Sequence, residues 1–234
     1  YVQGVGEALF LDGVRSFWVG TVAGARRWKE GRWHPFVPEP YAERIVRDVL
    51  GMGQALWLAT DRGLLRIEGS RVTEYDADNS PMPAVAISAL AGSGTDTLYA
   101  ATNHGLARWR KDEGITRVSV GGDDAATITA LANDAAGGVW LAADGVWRLV
   151  GEQFMPVEVP CLFGDRIYNL TPHTGPDGVA RIYLATRNGV VHFDSEAPQA
   201  CRLEPLAEEL GVVGGLTFDA GGYLFAFGSR GALR

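Results

Sequence analysis

The sequence has few cysteines and no long apolar run. Its 234 residues include only two cysteines, Cys161 and Cys201, and a single pair in a chain of this length does not define a disulfide scaffold. We interpret the two as independent, half-buried thiols in preference to a disulfide, which would indicate an oxidising compartment. No stretch approaches the roughly 18 consecutive apolar residues of a membrane helix. We therefore expect no part of this chain to insert into a membrane.

Basic residues are also in the minority, since the formal net charge is −7. A nucleic-acid-binding domain needs a basic surface, so we expect no nucleic-acid partner. The hydrophobic content of 47% and the charged content of 21% are ordinary for a globular domain that buries a core.

One strand-like segment recurs six times, at intervals of 39 to 43 residues. Its copies are FWVGT (17–21), LWLAT (56–60), LYAAT (98–102), VWLAA (139–143), IYLAT (182–186) and LFAFG (224–228). A glycine-initial segment follows each copy after the few residues of a hairpin turn, and five of the six have Arg at its fourth position. Another strand-like segment precedes each copy, and a variable strand follows the first five units. Each unit is thus predicted to be an antiparallel meander of strands a to d.

Strand b of each unit is apolar at nearly every position, which indicates burial on both faces. One four-stranded sheet cannot bury both faces, but identical sheets stacked around an axis can. The sequence therefore predicts an all-β fold, a β-propeller of four-stranded antiparallel blades, with a β-sandwich as the alternative. We expect a single domain, 1–234. Its predicted blades are 1–40, 41–80, 81–122, 123–162, 163–208 and 209–234.

The sixth unit ends after strand c, so its fourth strand must come from elsewhere or be missing. Either Tyr1 to Gln3 supply a short closing strand, or the chain is part of a seven-bladed ring. We favour six blades.

The segment LWLATDRGLLRI (56–67) resembles the two-component regulator propeller repeat. LYAATNHGLARW (98–109) and IYLATRNGVVHF (182–193) follow the same pattern, and VWLAADGVWRL (139–149) lacks one turn residue. The resemblance covers all six units. It implies the periplasmic sensor region of a membrane-bound histidine kinase or diguanylate cyclase, often seven-bladed. Such a region binds a small ligand, frequently a saccharide, or relays dimerisation, so a homodimer is a further expectation. No kinase or cyclase domain follows in this chain, which is then at most the sensing part.

Two columns of variable residues mark a candidate ligand site. In propellers the start of strand a and the b–c turn open on one face, and loops on a rigid scaffold commonly carry function. The first column is the residue before each repeat glycine, and the second is the start of strand a. From these columns we predict a site made of Glu7, Arg47, Arg62, His104, Tyr168 and Arg230. The arginines suit a carboxylate or phosphate and Tyr168 suits a sugar ring, so the expected ligand is a saccharide or an organic anion. The alternative is that all six are solvated turn residues.

Catalytic signals are weak. The four histidines show no metal-site spacing, and no nucleophile elbow or phosphate-binding loop occurs. We expect no catalytic residue, no metal and no cofactor. Two other functions stay open: a propeller enzyme of the lyase or lactonase type, using Glu7, Asp48 or Asp144, and a protein-interaction scaffold. We expect the strand-c arginines to be structural, their stems lying along a neighbouring strand.

Overall fold

A computed structural model describes residues 2–9, 15–36, 39–84 and 86–234 of the chain. Nearly all regular structure in these residues is β. The exceptions are a short 3-10 helix at Pro160–Leu162 and a single-turn helix, α1, at Ala207–Leu210.

The first of two compact units holds three sheets of four antiparallel strands. Blade 1 comprises β1 Val2–Leu9, β2 Arg15–Thr21, β3 Gly24–Lys29 and β4 Arg32–Pro35. Blade 2 comprises β5 Val46–Met52, β6 Ala55–Thr60, β7 Gly63–Glu68 and β8 Arg71–Tyr75. Blade 3 comprises β9 Ile87–Ser93, β10 Thr97–Thr102, β11 Gly105–Arg110 and β12 Gly114–Val118. In each sheet the strands are hydrogen-bonded in chain order.

The second unit holds the other three sheets, and the division between the units falls in the loop at 119–126. Blade 4 comprises β13 Ala130–Asn133, β14 Val139–Ala142, β15 Val146–Val150 and β16 Gln153–Val157. Blade 5 comprises β17 Ile167–Thr174, β18 Ala180–Thr186, β19 Gly189–Asp194 and β20 Ala197–Pro205. Blade 6 comprises β21 Val213–Phe218, β22 Leu224–Gly228 and β23 Gly231–Leu233. The predicted all-β propeller fold of antiparallel meander blades is confirmed.

The proposed closing strand at the N-terminus is not found in the described residues. Val2 pairs with Thr21, so Val2 and Gln3 belong to β1 of the first sheet. The sheet of blade 6 has three strands among the described residues. The prediction is therefore wrong for Val2 and Gln3, because the backbone groups of β1 pair with β2; Tyr1 lies outside the described residues.

Strand b is buried on both faces, as its continuous apolar pattern predicted. All six residues of β6 are buried. Leu56 and Leu58 pack in a cluster with Trp18 of blade 1, whereas Trp57 and Ala59 pack in a cluster with residues of blade 3. Because alternate side chains of a strand point to opposite faces, one strand contributes to two interblade cores.

The second unit repeats this packing. Trp140 and Ala142 of blade 4 share a cluster with Leu184 of blade 5. Ala185 of blade 5 shares the next cluster with Ala226 of blade 6. The small residue two positions after the strand-b aromatic therefore leaves room for the adjoining blade.

The strand-c arginines lie directly across from the strand-b aromatics. The guanidinium carbon of Arg66 is 5.6 Å from the Trp57 ring centroid, and that of Arg148 is 5.0 Å from Trp140. In blade 5, His192 stacks on Tyr183 at 5.4 Å. A cation placed over an aromatic face is attracted by the ring quadrupole, so the arginine column packs on the core in the structural role expected for it.

The two cysteines form a disulfide, with their Cα atoms 5.9 Å apart. The interpretation as independent thiols is therefore wrong. Cys161 lies in the 3-10 helix that connects blades 4 and 5, and Cys201 lies in β20, the last strand of blade 5. The fold brings this connection against the fourth strand of the next blade, a proximity that a separation of 40 residues does not reveal.

Candidate functional site

The b–c turns owe their shape to the threonine that ends the repeat motif. Thr60 Oγ1 donates to the carbonyl of Gly63 at 2.6 Å and accepts from the Arg62 N–H at 3.1 Å. Gly63 has φ +126°, and a Cβ there would lie 2.6 Å from the carbonyl oxygen of Tyr75. A side chain at Gly63 is excluded both by conformation and by space. The backbone of the residue just before the glycine, here Arg62, is therefore held in one place in the turn.

The same hydroxyl bridge recurs in three other blades. It is formed by Thr21, Thr102 and Thr186, each donating to the carbonyl of its repeat glycine. In blade 3 the residue so positioned is His104, whose N–H donates to Thr102 Oγ1 at 3.1 Å. His104 is exposed.

Strand a carries a β-bulge at its start. In β5, Val46 pairs with Thr60 and Asp48 with Ala59, which leaves Arg47 unpaired between them. Corresponding register shifts place Ser88, Tyr168 and Gly214 in the bulges of blades 3, 5 and 6. Because a bulge re-aims a side chain and is common beside active sites, this column is suited to present side chains to a ligand.

Glu7 does not belong to this column. It pairs with Phe17, well beyond the bulge of β1. In that bulge the residue equivalent to Arg47 is Gln3, which lies unpaired between Val2 and Gly4. The glycine-rich start of the chain has no clear turn signal, so sequence reasoning aligned Glu7 with Arg47 instead of Gln3.

In the first unit, three predicted residues lie at one end of blades 2 and 3. They are Arg47 in its bulge, Arg62 in the adjoining b–c turn and His104 in the next b–c turn. The Nε of Arg47 is buried and has no hydrogen-bond partner among the described residues. The side chain of Arg62 is 73% exposed, and its Nε lies 3.9 Å from Oδ2 of Asp61. Both guanidinium groups therefore retain donors that can bind an anion.

In the second unit, the two predicted residues have partners of their own. The guanidinium carbon of Arg166 lies 5.7 Å from the ring centroid of Tyr168. Arg230 Nη1 donates to the carbonyl of Glu208 at 2.8 Å, which ties its turn to α1. Tyr168 is half-buried and Arg230 is exposed.

Asp48, next to Arg47, is the most perturbed carboxyl group of this region. Its oxygens accept hydrogen bonds from the N–H groups of Val49 and Leu90, each at 2.8 Å. Burial raises the pKa of Asp48 from 3.8 to about 6, although both hydrogen bonds act in the opposite direction. A carboxyl with a raised pKa is typical of functional sites, but burial accounts for the raised pKa of Asp48, and its oxygens are taken up by two backbone hydrogen bonds within the fold.

In the part of the chain that is described, no group of three or more His, Cys, Asp or Glu side chains could hold a metal ion. Asp144, a candidate carboxylate, is exposed in the b–c turn of blade 4. Among the described residues no helix is long and apolar enough to span a bilayer.

Sequence reasoning missed a cavity at the opposite end of blades 2 and 3. It has a volume of about 220 Å³ and lies among the a–b and c–d turns, lined by Met52, Trp57, Arg66 and Trp109 among others. The sequence signals for it are small residues, Gly53 in the a–b turn and Ala55 at the start of β6.

The chain is similar in fold to the extracellular domains of two-component systems. The extracellular domain of a protein described as a hybrid two-component system from B. thetaiotaomicron matches 97% of this chain with a TM-score of 0.74 and 17% identity. A second such domain from the same bacterium matches 99% with a TM-score of 0.75 and 16% identity. This chain spans 32% of the length of each.

A third similar structure is an enzyme. Virginiamycin B lyase from Staphylococcus aureus matches 97% of this chain and 77% of its own chain, with a TM-score of 0.70 and 14% identity. No protein-family model and no curated protein matches the sequence. At these identities the likeness establishes the propeller fold, which hosts many functions.

Proposed function

We propose that this chain is a non-catalytic, ligand-sensing propeller in the extracytoplasmic part of a two-component-type signalling receptor. The observation that carries the proposal is the likeness to the extracellular domains of two proteins described as hybrid two-component systems, over almost the whole of this chain. The repeat motif LWLATDRGLLRI, which resembles the regulator propeller repeat, supports the same assignment.

The disulfide between Cys161 and Cys201 supports a periplasmic location. Disulfides persist in oxidising compartments such as the periplasm and are rare in the cytosol. The location and the receptor assignment thus have separate support.

The proposed ligand is a small organic anion or an acidic saccharide, bound where Arg47, Arg62 and His104 lie. Arg62 is largely exposed, and Arg47 keeps a buried Nε donor without a partner among the described residues. Hydrogen bonds from charged donors to carboxylates are roughly twice as strong as neutral ones. The threonine-braced turns fix the backbone that carries Arg62 and His104, which lowers the entropic cost of binding.

A thermal-shift screen with saccharides, amino acids and organic acids tests this proposal. A compound that binds the folded chain raises its Tm by linkage, and we expect a shift for at least one acidic compound. Arg62→Ala and Arg47→Ala should reduce that shift, while Arg71→Ala, an exposed arginine in β8, should not. A flat screen, or shifts that survive both substitutions, would contradict the proposed site.

The likeness to virginiamycin B lyase favours one second candidate, a propeller lyase. That enzyme was crystallised with quinupristin in a catalytically inactive form. Incubating this chain with quinupristin, with and without divalent cations, and following the substrate by mass spectrometry distinguishes the two functions. We expect the substrate to remain intact; enzyme-dependent cleavage would replace the sensor proposal.

A further inference from the structure

One face of blade 1 exposes a row of three aromatic side chains. Phe17 on β2 pairs with Trp28 on β3, and Trp28 pairs with Trp33 on β4, so the three lie side by side on the same face of the sheet. The ring centroids of Trp28 and Trp33 are 5.1 Å apart, and those of Phe17 and Trp33 are 6.1 Å apart. Phe17 is 46% exposed, Trp28 43% and Trp33 40%. A contiguous exposed apolar patch marks an interaction surface.

The same row is buried in other blades. It consists of the residue before the strand-b aromatic, its partner on strand c and the next partner on strand d. The row is Leu56, Ile67 and Val72 in blade 2, Leu98, Trp109 and Ile115 in blade 3, and Ile182 and Phe193 in the first two of these strands of blade 5. Val72 is half-buried, and the others are at most 7% exposed. Blade 1 therefore differs from these blades in the exposure of the row and not in its apolar character.

The surface that covers this row in the other blades is the face of a neighbouring blade. In blade 2 the row packs in a cluster with Trp18 of blade 1. In blade 3, Trp109 lies edge to face against Trp57 of blade 2, with ring centroids 4.6 Å apart. In blade 5 the row packs in a cluster with Trp140 of blade 4. The surface that complements the exposed row is therefore the apolar face of another propeller blade.

The edge of blade 1 is a poorer contact surface than this face. Its edge strand, β4, has only four residues and ends in Pro35. Short edge strands and proline resist pairing with the strand of another chain. Large aromatic side chains, tryptophan above all, carry much of the binding energy at the centre of protein interfaces. We therefore expect sheet to pack against sheet, as it does between the blades.

A second copy of the chain carries a blade face that can cover this row. About a two-fold axis parallel to the strands, β2 of one copy lies across from β3 of the other. Phe17 of each copy then faces Trp28 of the other. Such reciprocal contacts define the interface of a two-fold dimer, which is the commonest form of oligomer. Both surfaces are then apolar, as they are in the interblade cores.

We propose that the aromatic face of blade 1 is the interface of a two-fold dimer of this chain, with Phe17, Trp28 and Trp33 at its centre. The contact extends the interblade packing of the fold to a second molecule. It involves neither Arg47 nor Arg62, so it is independent of the ligand proposed above.

Sedimentation velocity over a wide range of protein concentrations tests this interface. We expect a reversible equilibrium between monomer and dimer for the unmodified chain. Trp28→Ser and Trp33→Ser should each raise the dissociation constant by roughly tenfold or more. The matched control is Phe163→Ser, in the connection between blades 4 and 5, which removes an aromatic side chain that is 85% exposed. It should leave the equilibrium unchanged.

A chain that stays monomeric at every concentration would overturn the proposal. A dimer that survives both tryptophan substitutions, or that is lost equally with Phe163→Ser, would do the same. Oligomers that keep growing with concentration would indicate a head-to-tail contact and contradict the two-fold interface. Circular dichroism checks that each variant folds. If neither tryptophan variant folds, Phe17→Ser takes their place, with unchanged association again contradicting the interface.

Discussion

The carboxylate of Asp48 in blade 2 accepts a hydrogen bond of 2.8 Å from the backbone N–H of Leu90 in blade 3. Leu90 lies in β9, an edge strand that pairs only with β10 within its sheet. Edge strands present N–H groups that no ladder satisfies, and Asp48 satisfies one of them from the next blade. In the second unit, Thr171 of blade 5 makes a longer contact, 3.4 Å, to the carbonyl of Leu216 in blade 6. The first strands of consecutive blades are thus joined by side chains.

The first prediction concerns the pH dependence that Asp48 gives to stability. Its pKa is raised from 3.8 to about 6, chiefly by burial, so the folded chain holds this proton more tightly than the unfolded chain. The stability contributed by Asp48 is therefore complete below about pH 4 and is lost as the pH rises through about 6. Asp48→Asn stays neutral throughout. The Tm difference between the unmodified chain and this variant should fall from about pH 4 to about pH 7.

Differential scanning calorimetry across that range checks the sign. Asp78→Asn, at an exposed position, controls for the loss of one carboxylate. A Tm difference for Asp48→Asn that is constant, or that grows with pH, would show that burial does not dominate the environment of Asp48.

The second prediction concerns the threonine of the repeat motif. Thr60 is fully buried, and its hydroxyl bridges Gly63 and Arg62. Thr60→Val keeps the shape but leaves these two backbone groups without a partner, so we expect a loss of about 1–3 kcal/mol in the free energy of unfolding. Thr60→Ser retains the hydroxyl and should lose clearly less. Urea unfolding measures both losses, and a loss for Thr60→Ser that equals or exceeds that for Thr60→Val would show that the methyl group matters at least as much as the hydrogen bonds.

The repeated core was predictable from sequence because each blade presents the same packing problem. Trp57, Trp140 and their counterparts recur at one spacing, and a strand such as β6, apolar at every position, can only be buried on both faces. The b–c turn was predictable in the same way, since Gly63 and its equivalents mark it.

The candidate sites were less predictable because they depend on what differs between blades. The bulge that isolates Arg47 comes from pairing with β6 and has no local signature. Glu7 was placed in the wrong column because the start of the chain lacks a turn signal. The cavity beside Trp57 lies among the small residues Gly53 and Ala55, which belong to one blade and have no signature in the repeat.

The third prediction concerns the arginine packed on the blade-4 aromatic. Arg148 lies 5.0 Å from the ring centroid of buried Trp140 and pairs with Glu196 at 2.9 Å. Arg148→Met should cost about 0.5–2 kcal/mol through the lost cation–π contact. Since Glu196 is 78% exposed, Glu196→Gln should cost less than about 0.5 kcal/mol. Urea unfolding of both variants separates the two contributions, and a larger loss for Glu196→Gln would assign the stabilisation to the ion pair instead.

The final prediction concerns the disulfide between Cys161 and Cys201. It closes a loop with a sequence separation of 40 that contains the first three strands of blade 5. In the chain-entropy account, closing such a loop stabilises the folded state by at most about 4 kcal/mol, and replacing both cysteines by alanine should remove up to that amount. Urea unfolding under oxidising conditions measures the loss, and the unmodified chain in the presence of a reductant should approach the same value. Alkylation of the denatured, unreduced protein should find no free thiol, because both sulfur atoms are engaged. If two cysteines per chain are alkylated after export to the periplasm, the disulfide does not form there. The support that it gives to an extracytoplasmic location would then be lost.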